Sequence, residues 1–435
     1  MGKRLSSTWM DLFMRIGIVG GGITGLVTAW LLDGFHDVLL LERNRRIGGN
    51  AHSVSVRLPD GELTADLGVH SFSRGLFPTH ARLLGLLGLR EDDLIDVPMS
   101  LTMWHAGRPE PTLVTPHRRD TDTPDRAVLG PAWKAVGAML EQGAQWQKDD
   151  VGWNEPYGNL VESLAVPDAM KRDVLYPWPA SLFSCELDQI GHMSARAVLD
   201  FFLEPEEPPA DEAVRWQNLR GGAETLAWTL AAGTHTADIR TSAGLRTLRR
   251  TGEVFELGDS AGGRHEVDHL VLALPADVAR TVLAQLAGTE SLRELLGAFT
   301  YVPITVGAHT DTSWMPARRE QWSTDNIIVQ DDMAVSTRWC GPAYGMDFFV
   351  TRLRGDRLPA RGVLAQTRLR HMQHTTEAMQ AKHGLSAFQG LGDVHLAGPY
   401  LQGVDSQENA VRSAVDVARR FVPDTSDTRL AALLP

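Results

Sequence analysis

The clearest pattern of apolar and polar positions lies near the amino end of the chain. The apolar run 16–19 predicts a short buried strand. Apolar residues then recur at helical spacing over 26–32, and Gly34 is placed to end that helix. A second apolar run, 38–41, predicts another strand. Strand, helix and strand in this order form a βαβ unit, which indicates a parallel sheet.

The rest of the chain alternates between stretches with a strand pattern and stretches with a helical pattern. Alternating residues on both sides of Asp60-Gly61 predict a β-hairpin, and apolar runs over 269–274 and 300–308 predict strands. Helices are predicted over 131–147, 160–170 and 193–203, in a block that lacks the βαβ rhythm. The chain is too long for one simple core. We therefore predict an α/β protein, in which a doubly wound Rossmann-type domain carries an inserted mixed α+β substrate domain. The predicted ranges are 14–96, 214–285 and 385–421 for the first domain, 97–213 and 286–384 for the second, and 1–13 and 422–435 for tails.

Three glycines join the first strand to the first helix in the pattern Gly20-x-Gly22-x-x-Gly25. Gly20 permits a tight turn, Gly22 lets the backbone approach a pyrophosphate, and Gly25 lets helix and strand pack closely. The amino end of the helix offers free N–H groups to phosphates. Glu42, at the end of the second strand, is placed to accept hydrogen bonds from ribose hydroxyls. This unit predicts a site for FAD or NAD rather than NADP.

A second glycine pair follows in Arg46-Ile47-Gly48-Gly49-Asn50. Together with the first motif, it resembles the flavin-containing amine oxidase and phytoene desaturase superfamily. The resemblance implies FAD as the cofactor, with Gly48 and Gly49 near its phosphates and ribityl chain. It also implies that the stretch from Asp66 to Phe72 runs past the isoalloxazine ring, and that Leu245 lies on a strand beside the adenine.

The carboxyl end of the chain completes the resemblance. Ala397-Gly398, a loop and a helix are similar to the superfamily's last FAD motif, in which helix amides face the flavin. The superfamily usually has an acid after this glycine, whereas this chain has Pro399-Tyr400. The cofactor contacts implied by the motifs are Gly20, Gly22, Ile23, Thr24, Gly25, Glu42, Arg43, Gly48, Gly49, Asn50, Gly68, Val69, His70, Ser71, Leu245, Gly398, Gln407 and Glu408.

Within the superfamily, one block most resembles a bacterial branch often associated with fatty-acyl modification. That block contains His309-Thr310-Asp311, then Met315-Pro316, basic residues and Trp322. Many amine oxidases in the superfamily carry a lysine that faces the flavin and assists the reaction with oxygen. The comparable strand here, 300–308, contains no lysine. This favours a desaturase or isomerase over an amine oxidase that uses oxygen.

Candidate chemistry outside the cofactor motifs is sparse. His70 is the candidate for proton transfer beside the flavin, since histidine titrates near neutral pH; a buried structural histidine is the alternative. His371-x-x-His374 shares a helical face but has no evident third ligand, so we predict no metal site. Core packing is an equally simple explanation for any single aromatic residue. The aromatic residues predicted to line the substrate pocket are Tyr176, Trp178, Trp216, Tyr301, Trp339 and Tyr400.

Composition limits the partners and the compartment. A net charge of -12 argues against nucleic acid, because phosphate binding requires a basic face. Two cysteines that lie far apart, Cys185 and Cys340, indicate a reducing cytoplasm rather than a disulfide framework. No apolar run approaches the roughly 18 residues that a membrane span requires. We expect a small-molecule or acyl substrate.

Three functions therefore remain open. The first is an FAD-dependent oxidoreductase that removes a hydride from a C–N or C–C unit of a small or lipid-like molecule. The second is a redox-neutral isomerase or mutase, in which the hydride leaves and returns. The third is a non-catalytic FAD-binding protein.

Overall fold

The computed structural model describes residues 13–115, 126–203, 215–354, 361–422 and 428–434. The strands are β1 (Arg15–Val19), β2 (Asp37–Leu41), β3 (Ser53–Leu58), β4 (Gly61–Asp66), β5 (Phe72–Ser73), β6 (Leu94–Val97), β7 (Leu101–His105), β8 (Leu113–Thr115), β9 (Trp216–Leu219), β10 (Asp238–Arg240), β11 (Leu245–Thr251), β12 (Val254–Asp259), β13 (Arg264–Val267), β14 (His269–Leu272), β15 (Thr300–His309), β16 (Asp325–Gln330), β17 (Met333–Trp339), β18 (Phe349–Arg354), β19 (Val363–Gln373) and β20 (Val394–Leu396). The helices are α1 (Ile23–Leu32), α2 (Pro78–Leu86), α3 (Arg126–Lys148), α4 (Tyr157–Ser163), α5 (Asp168–Met170), α6 (Pro177–Phe183), α7 (Ala195–Leu199), α8 (Glu224–Ala232), α9 (Ala276–Leu283), α10 (Glu290–Leu296), α11 (Gly341–Tyr344), α12 (Thr376–Leu385), α13 (Gln407–Ala418) and α14 (Arg429–Leu433).

A five-stranded parallel sheet forms the frame of the cofactor half. Its strand order is β10-β2-β1-β14-β20, and every neighbouring pair is parallel. The inner strands are apolar on both faces because both faces are covered. Helices cover one face, and the small sheet of β11, β12 and β13 packs on the other. Helices α1 and α13 contact each other in the layer on one face. All five strands come from the ranges predicted for the Rossmann-type domain, which confirms the α/β fold class.

A seven-stranded sheet forms the second large layer, in the order β19-β15-β18-β17-β16-β7-β8. It is antiparallel except between β7 and β16. Its strands come from 101–115 and 300–373, so both predicted pieces of the substrate domain contribute to one sheet. The helices α3 to α7 bury a separate apolar cluster against it, which includes Tyr157 and Phe183. The division into domains stays a prediction, and its boundary at 213 lies outside the described residues.

Smaller sheets join the two layers. The hairpin β3–β4 turns at Asp60-Gly61, as predicted, and packs its apolar side chains against strands β15 and β18. Strands β5, β9 and β6 form a three-stranded sheet, and β11, β12 and β13 form another. The hairpin also contacts β19, the edge strand of the seven-stranded sheet.

Some predicted elements differ in extent. The helix predicted over 160–170 is two helices, α4 and α5, because Pro167 interrupts the pattern. The helix predicted over 193–203 is limited to α7. The segment 422–435, predicted as a tail, contains helix α14, and Arg429 donates a hydrogen bond to the Trp30 carbonyl (2.7 Å). The segment 1–12 lies outside the described residues.

Among the helices of the described ranges, none is both long and apolar enough to span a lipid bilayer.

Candidate active site

A cavity of about 850 Å³ lies between the carboxyl ends of the parallel strands and the edge strand β19. Parallel α/β sheets bind their ligands at this edge, where the loops after the strands diverge. The wall on the sheet side consists of the loops after β1 and β2, and Thr367 is among the residues opposite. The predicted cofactor and pocket residues on the wall are Gly20, Gly22, Ile23, Thr24, Glu42, Arg43, Gly48, Gly49, Asn50, Val69, Leu245, Tyr301, Gly398, Tyr400 and Gln407.

The first glycine turn is shaped to receive a group at its Gly22 position. Gly20 has a φ of +112°, and a Cβ there would collide with the Ala273 carbonyl oxygen. A Cβ on Gly25 would collide with the Gly20 carbonyl oxygen, so this glycine serves the close packing of α1 on β1. A Cβ on Gly22 would find only the Gly49 Cα among the described atoms, at 3.9 Å, and would project into the cavity. The turn therefore leaves room for a phosphate at the start of α1.

Glu42 is buried at the end of β2, and the surrounding backbone holds its carboxylate. One oxygen, Oε2, accepts a hydrogen bond from the Gly21 amide (2.7 Å). The other, Oε1, accepts from both the amide and the side-chain nitrogen of Asn44 (2.7 Å each). A carboxylate offers about four acceptor positions, so roughly one remains for a ligand in the cavity. The sequence did not indicate these internal hydrogen bonds.

The second glycine pair is locked onto the first. The Gly48 amide donates to the Gly21 carbonyl (2.7 Å), and Gly48 and Gly49 have φ values of +103° and +60°. Arg46 fixes the loop from outside, since its guanidinium donates to the carbonyls of Ile47 (3.0 Å), Gly49 (2.6 Å) and Ala51 (2.8 Å). The two glycine motifs thus form one rigid wall.

Helix α13 begins at the cavity. The Ser406 hydroxyl caps it by accepting a hydrogen bond from the Asn409 amide (3.1 Å). Gln407 lies on the wall and donates to the His70 carbonyl (3.1 Å). Glu408 points elsewhere: its carboxylate accepts hydrogen bonds from the amides of Thr79 (3.1 Å) and His80 (2.8 Å) at the start of α2. The structure therefore places Glu408 in a helix cap, although the resemblance implied a cofactor contact.

The stretch after β4 reaches the cavity at Val69, but His70 and Ser71 are not among the described residues of the wall. The His70 side chain is half-buried. The Ser71 hydroxyl accepts from Arg338 (3.4 Å). Gly68 cannot accept a Cβ, because it would overlap the Asn50 carbonyl oxygen. The structure brings His70 near the wall without placing its side chain on it.

Two titratable residues that the sequence did not single out do lie on the wall. Burial raises the pKa of Asp405 to about 6. The Asp405 amide donates to Nε2 of the fully buried His374 (3.0 Å), which fixes the loop before α13. The pKa of His52 is lowered, first by burial and then by the charge of Arg46, and its Nδ1 lies 3.1 Å from the Thr367 hydroxyl. No sequence pattern marks these two residues as part of the wall, because only the tertiary structure brings them there.

The aromatic predictions divide into two groups. Tyr301 and Tyr400 lie on the wall, and the Tyr400 hydroxyl is buried with no hydrogen-bond partner among the described residues. The other four lie outside the wall. Trp178 packs on Phe202, Trp216 contacts Phe77, Trp339 donates to Asp347 (2.7 Å), and Tyr176 lines a separate pocket of about 690 Å³. Any apolar layer can bury an aromatic ring, so residue type alone did not locate them.

No group of three or more metal-binding side chains was found in the described part of the chain. His371 stacks on Phe183 with its ring Nδ1 unpartnered among those residues. His371 lies on strand β19 rather than on a helix.

A parallel sheet with two glycine turns and a cavity at its carboxyl edge is typical of a dinucleotide-binding protein. The model for the family of flavin-containing amine oxidoreductases matches residues 23–328, and the chain belongs to that family. An uncharacterized protein from the nifH2 3′ region of Methanothermococcus thermolithotrophicus is 34% identical over 105 residues, which are 21% of this chain and 98% of that protein.

Solved structures show the same fold at low identity. Cyclohexylamine oxidase from Brevibacterium oxydans is 17% identical with a TM-score of 0.65, and the match covers 94% of this chain and 98% of that one. The fatty acid isomerase from P. acnes that produces CLA is 15% identical with a TM-score of 0.63, covering 94% and 99%. At these identities the likeness concerns the fold alone.

FAD is the cofactor of this family, and the residues of the cavity wall fit it. The open position at Gly22 suits the pyrophosphate, the free acceptor position of Glu42 suits a ribose hydroxyl, and the amino end of α13 suits the flavin. The unpartnered Tyr400 hydroxyl is a further polar group that a bound molecule can satisfy.

Proposed function

We propose that this protein is an FAD-dependent oxidoreductase that removes a hydride from a C–N or C–C unit of a small or lipid-like molecule. FAD, when bound, supplies the hydride acceptor. The observation that carries the proposal is the cavity wall formed by Gly22, Gly49 and Glu42, which leaves room for a dinucleotide at the edge of the parallel sheet. The chain itself orients both molecules and excludes water between the two sheets.

The residues on the wall have separable tasks in this proposal. The two glycine turns hold the pyrophosphate, and Glu42 orients the adenosine ribose. The amino end of α13 reaches the wall at Gln407, and its positive dipole would favour negative charge on a flavin bound there. Tyr301 and Tyr400 supply aromatic surface to the cavity wall.

Proton transfer needs a group that titrates near neutral pH. We propose His70 for this role, as the sequence suggests. Asp405 is the second candidate. Asp405 is favoured by its position on the wall and by the rise of its pKa to about 6 through burial. Variants at the two positions separate these candidates.

A redox-neutral isomerase is the second candidate function. It is favoured by the composition of the wall: the described residues that line the cavity include five arginines and no lysine. The lysine that assists oxygen in many amine oxidases therefore has no evident counterpart there. A desaturase with another electron acceptor agrees with the same observation.

Anaerobic reduction tests the proposal. The purified protein is mixed with candidate amines, acids and acyl compounds without oxygen, and the flavin absorbance and the products are followed. Reduced flavin with an oxidised product supports the oxidoreductase. An isomerised product with the flavin oxidised at the end supports the isomerase. If no compound reduces the flavin and none is isomerised, the result supports the non-catalytic binding protein.

We further propose a reducing, cytoplasmic location. Cys185 and Cys340 are both free and buried, so they form no disulfide with each other.

A further inference from the structure

A row of charged side chains crosses the seven-stranded sheet where no function has yet been assigned. Asp325 on β16 lies directly opposite Arg338 on β17, and Arg352 lies on the next strand, β18. Asp325 and Arg338 are 3.6 Å apart, and the charge of Asp325 also acts on Arg352. Three charged groups in the interior of a sheet require an explanation, because burying charge is unfavourable unless the groups are well paired.

Buried polar residues on the opposite face of the same strands determine which face the charged side chains occupy. His309, Thr351, Thr337 and Asn326 are fully buried there. Nε2 of His309 and the Thr351 hydroxyl are 2.7 Å apart, the Thr351 and Thr337 hydroxyls are 2.7 Å apart, and Asn326 donates to the Thr337 carbonyl (3.4 Å). Since side chains alternate along a strand, this polar row sets the register that turns the charged neighbours to the other face.

That other face carries a residue of the cofactor cavity at its β19 edge. Arg352 lies opposite Val306, which lies opposite Thr367 on β19, so the three share one face. Thr367 is part of the cavity wall. With neighbouring strands about 4.8 Å apart, Arg352 is roughly 10 Å from that wall. Arg338 also approaches the stretch after β4, through its contact with Ser71 (3.4 Å).

The two guanidinium groups have donors left over. Each offers five N–H donors. Among the described residues, Arg352 makes no hydrogen bond or close ion pair, and Nε of Arg338 has no partner. Asp66 also acts on Arg338, but its Oδ1 already accepts from the Ser53 hydroxyl (2.6 Å) and the Ala223 amide (2.8 Å).

Two side chains of the row keep part of their surface accessible. Asp325 and Arg338 retain 21% and 13% of their side-chain exposure. Burial nevertheless raises the pKa of Asp325 to about 6 and lowers the pKa of Arg338 to about 10. Arg338 stays charged at neutral pH. Both side chains are therefore partly accessible rather than sealed within the sheet.

We propose that Arg352 and Arg338 form an anion subsite that holds the carboxylate of the substrate on the cofactor side of the seven-stranded sheet. A carboxylate fits because it accepts two parallel hydrogen bonds from a guanidinium group. The inference deepens the proposed function and rests on it, since it assigns the cavity a carboxylic acid as substrate. The part of the acid that reacts then lies toward Thr367 and the flavin.

Isothermal calorimetry on the flavin-loaded protein tests the subsite without need of turnover. The probes are decanoate and its neutral analogue decanamide, with leucine as a second carboxylate. We expect decanoate to bind at least about tenfold more tightly than decanamide, in line with one charge-assisted pair. Tight leucine binding identifies an amino acid as the source of the carboxylate, whereas decanoate alone identifies a fatty acid.

Variants separate the subsite from a structural ion cluster. Arg352→Gln and Arg338→Gln should each weaken decanoate about tenfold or more and change decanamide less than about twofold. Asp325→Asn should tighten decanoate, because it removes a competing carboxylate. Arg352→Lys keeps the positive charge, so its affinity for decanoate should lie between those of the wild type and the glutamine variant. This variant keeps the test decisive if Arg352→Gln does not fold. Arg318→Gln, at an exposed ion pair with Glu110, is the matched control and should change neither probe.

The inference is overturned if decanamide binds as tightly as both carboxylates, or if the arginine variants weaken both decanoate and decanamide equally. Failure of the proposed function looks different. A wild-type protein without flavin, or one whose flavin no substrate reduces, contradicts the oxidoreductase while the preference for carboxylate is still measurable.

Discussion

Replacing Glu42 with glutamine is the sharpest test of how the cavity recognises its cofactor. The carboxylate already accepts three hydrogen bonds, from the Gly21 amide and from two nitrogens of Asn44. The glutamine oxygen can keep the pair from Asn44, but its NH₂ group then faces the Gly21 N–H. One buried donor is left unsatisfied, which costs about 1–3 kcal/mol of stability in the protein without flavin.

The same change removes the charge that the adenosine ribose meets. A hydrogen bond to a charged group contributes about 1.5–3 kcal/mol, which corresponds to roughly 10- to 150-fold in the dissociation constant. FMN lacks the adenosine, so its affinity falls only through the disturbance of the Gly21 turn. That disturbance weakens both flavins equally. The ratio of the FAD to the FMN dissociation constant should therefore rise by roughly 10- to 150-fold.

Fluorescence titration of the flavin-free protein with FAD and with FMN measures this ratio, and thermal unfolding of the same protein measures the internal cost. Glu256→Gln on the exposed face of β12 is the matched control and should leave both flavins unaffected. If the ratio stays within about threefold of the wild type, the ribose does not use Glu42.

Three further predictions concern cofactor, chemistry and pH. Gly22→Val should abolish FAD binding, since the side chain would fill the open position in the cavity; a yellow variant with the wild-type flavin content would contradict this. His70→Ala should keep FAD and slow anaerobic flavin reduction by roughly 10²–10⁴-fold. If Asp405→Asn does so instead and removes a pH dependence near 6, the role belongs to Asp405. His80, fully buried, has a pKa lowered to about 4 by burial, so the unfolded chain binds more protons below about pH 6.5 and stability falls as the pH drops. His80→Leu should reduce the stability lost between about pH 7.5 and about pH 5 by roughly 2 kcal/mol in chemical denaturation, and an unchanged loss would refute the assignment.

Much of the cavity wall on the side of the parallel sheet follows from the sequence because that side is local. Gly20, Gly22, Gly25 and Glu42 lie within one βαβ unit, and a short motif contains all the geometry that the turn needs. Residue type and spacing were sufficient there. The hairpin at Asp60-Gly61 is equally local.

The far wall could not be predicted, because its members meet only in the folded chain. Asp405 and Thr367 are hundreds of positions from the first glycine motif, and nothing in their neighbours marks them. Glu408 illustrates the same limit: its partners Thr79 and His80 lie more than 300 residues away. That Arg338 and Arg352 share one face likewise depends on the register of strands β17 and β18.

The parallel sheet has a consequence for synthesis of the protein. Strand β1 pairs with β14, which pairs with β20, about 375 residues after β1. At about 5–20 residues per second, a ribosome needs roughly 20–75 s between these strands. During that interval the nascent chain holds the glycine turn without the part of the cavity wall that lies within 397–410. We therefore expect FAD capture to be a late event, and a polypeptide released before these residues should bind FAD more weakly than the full chain.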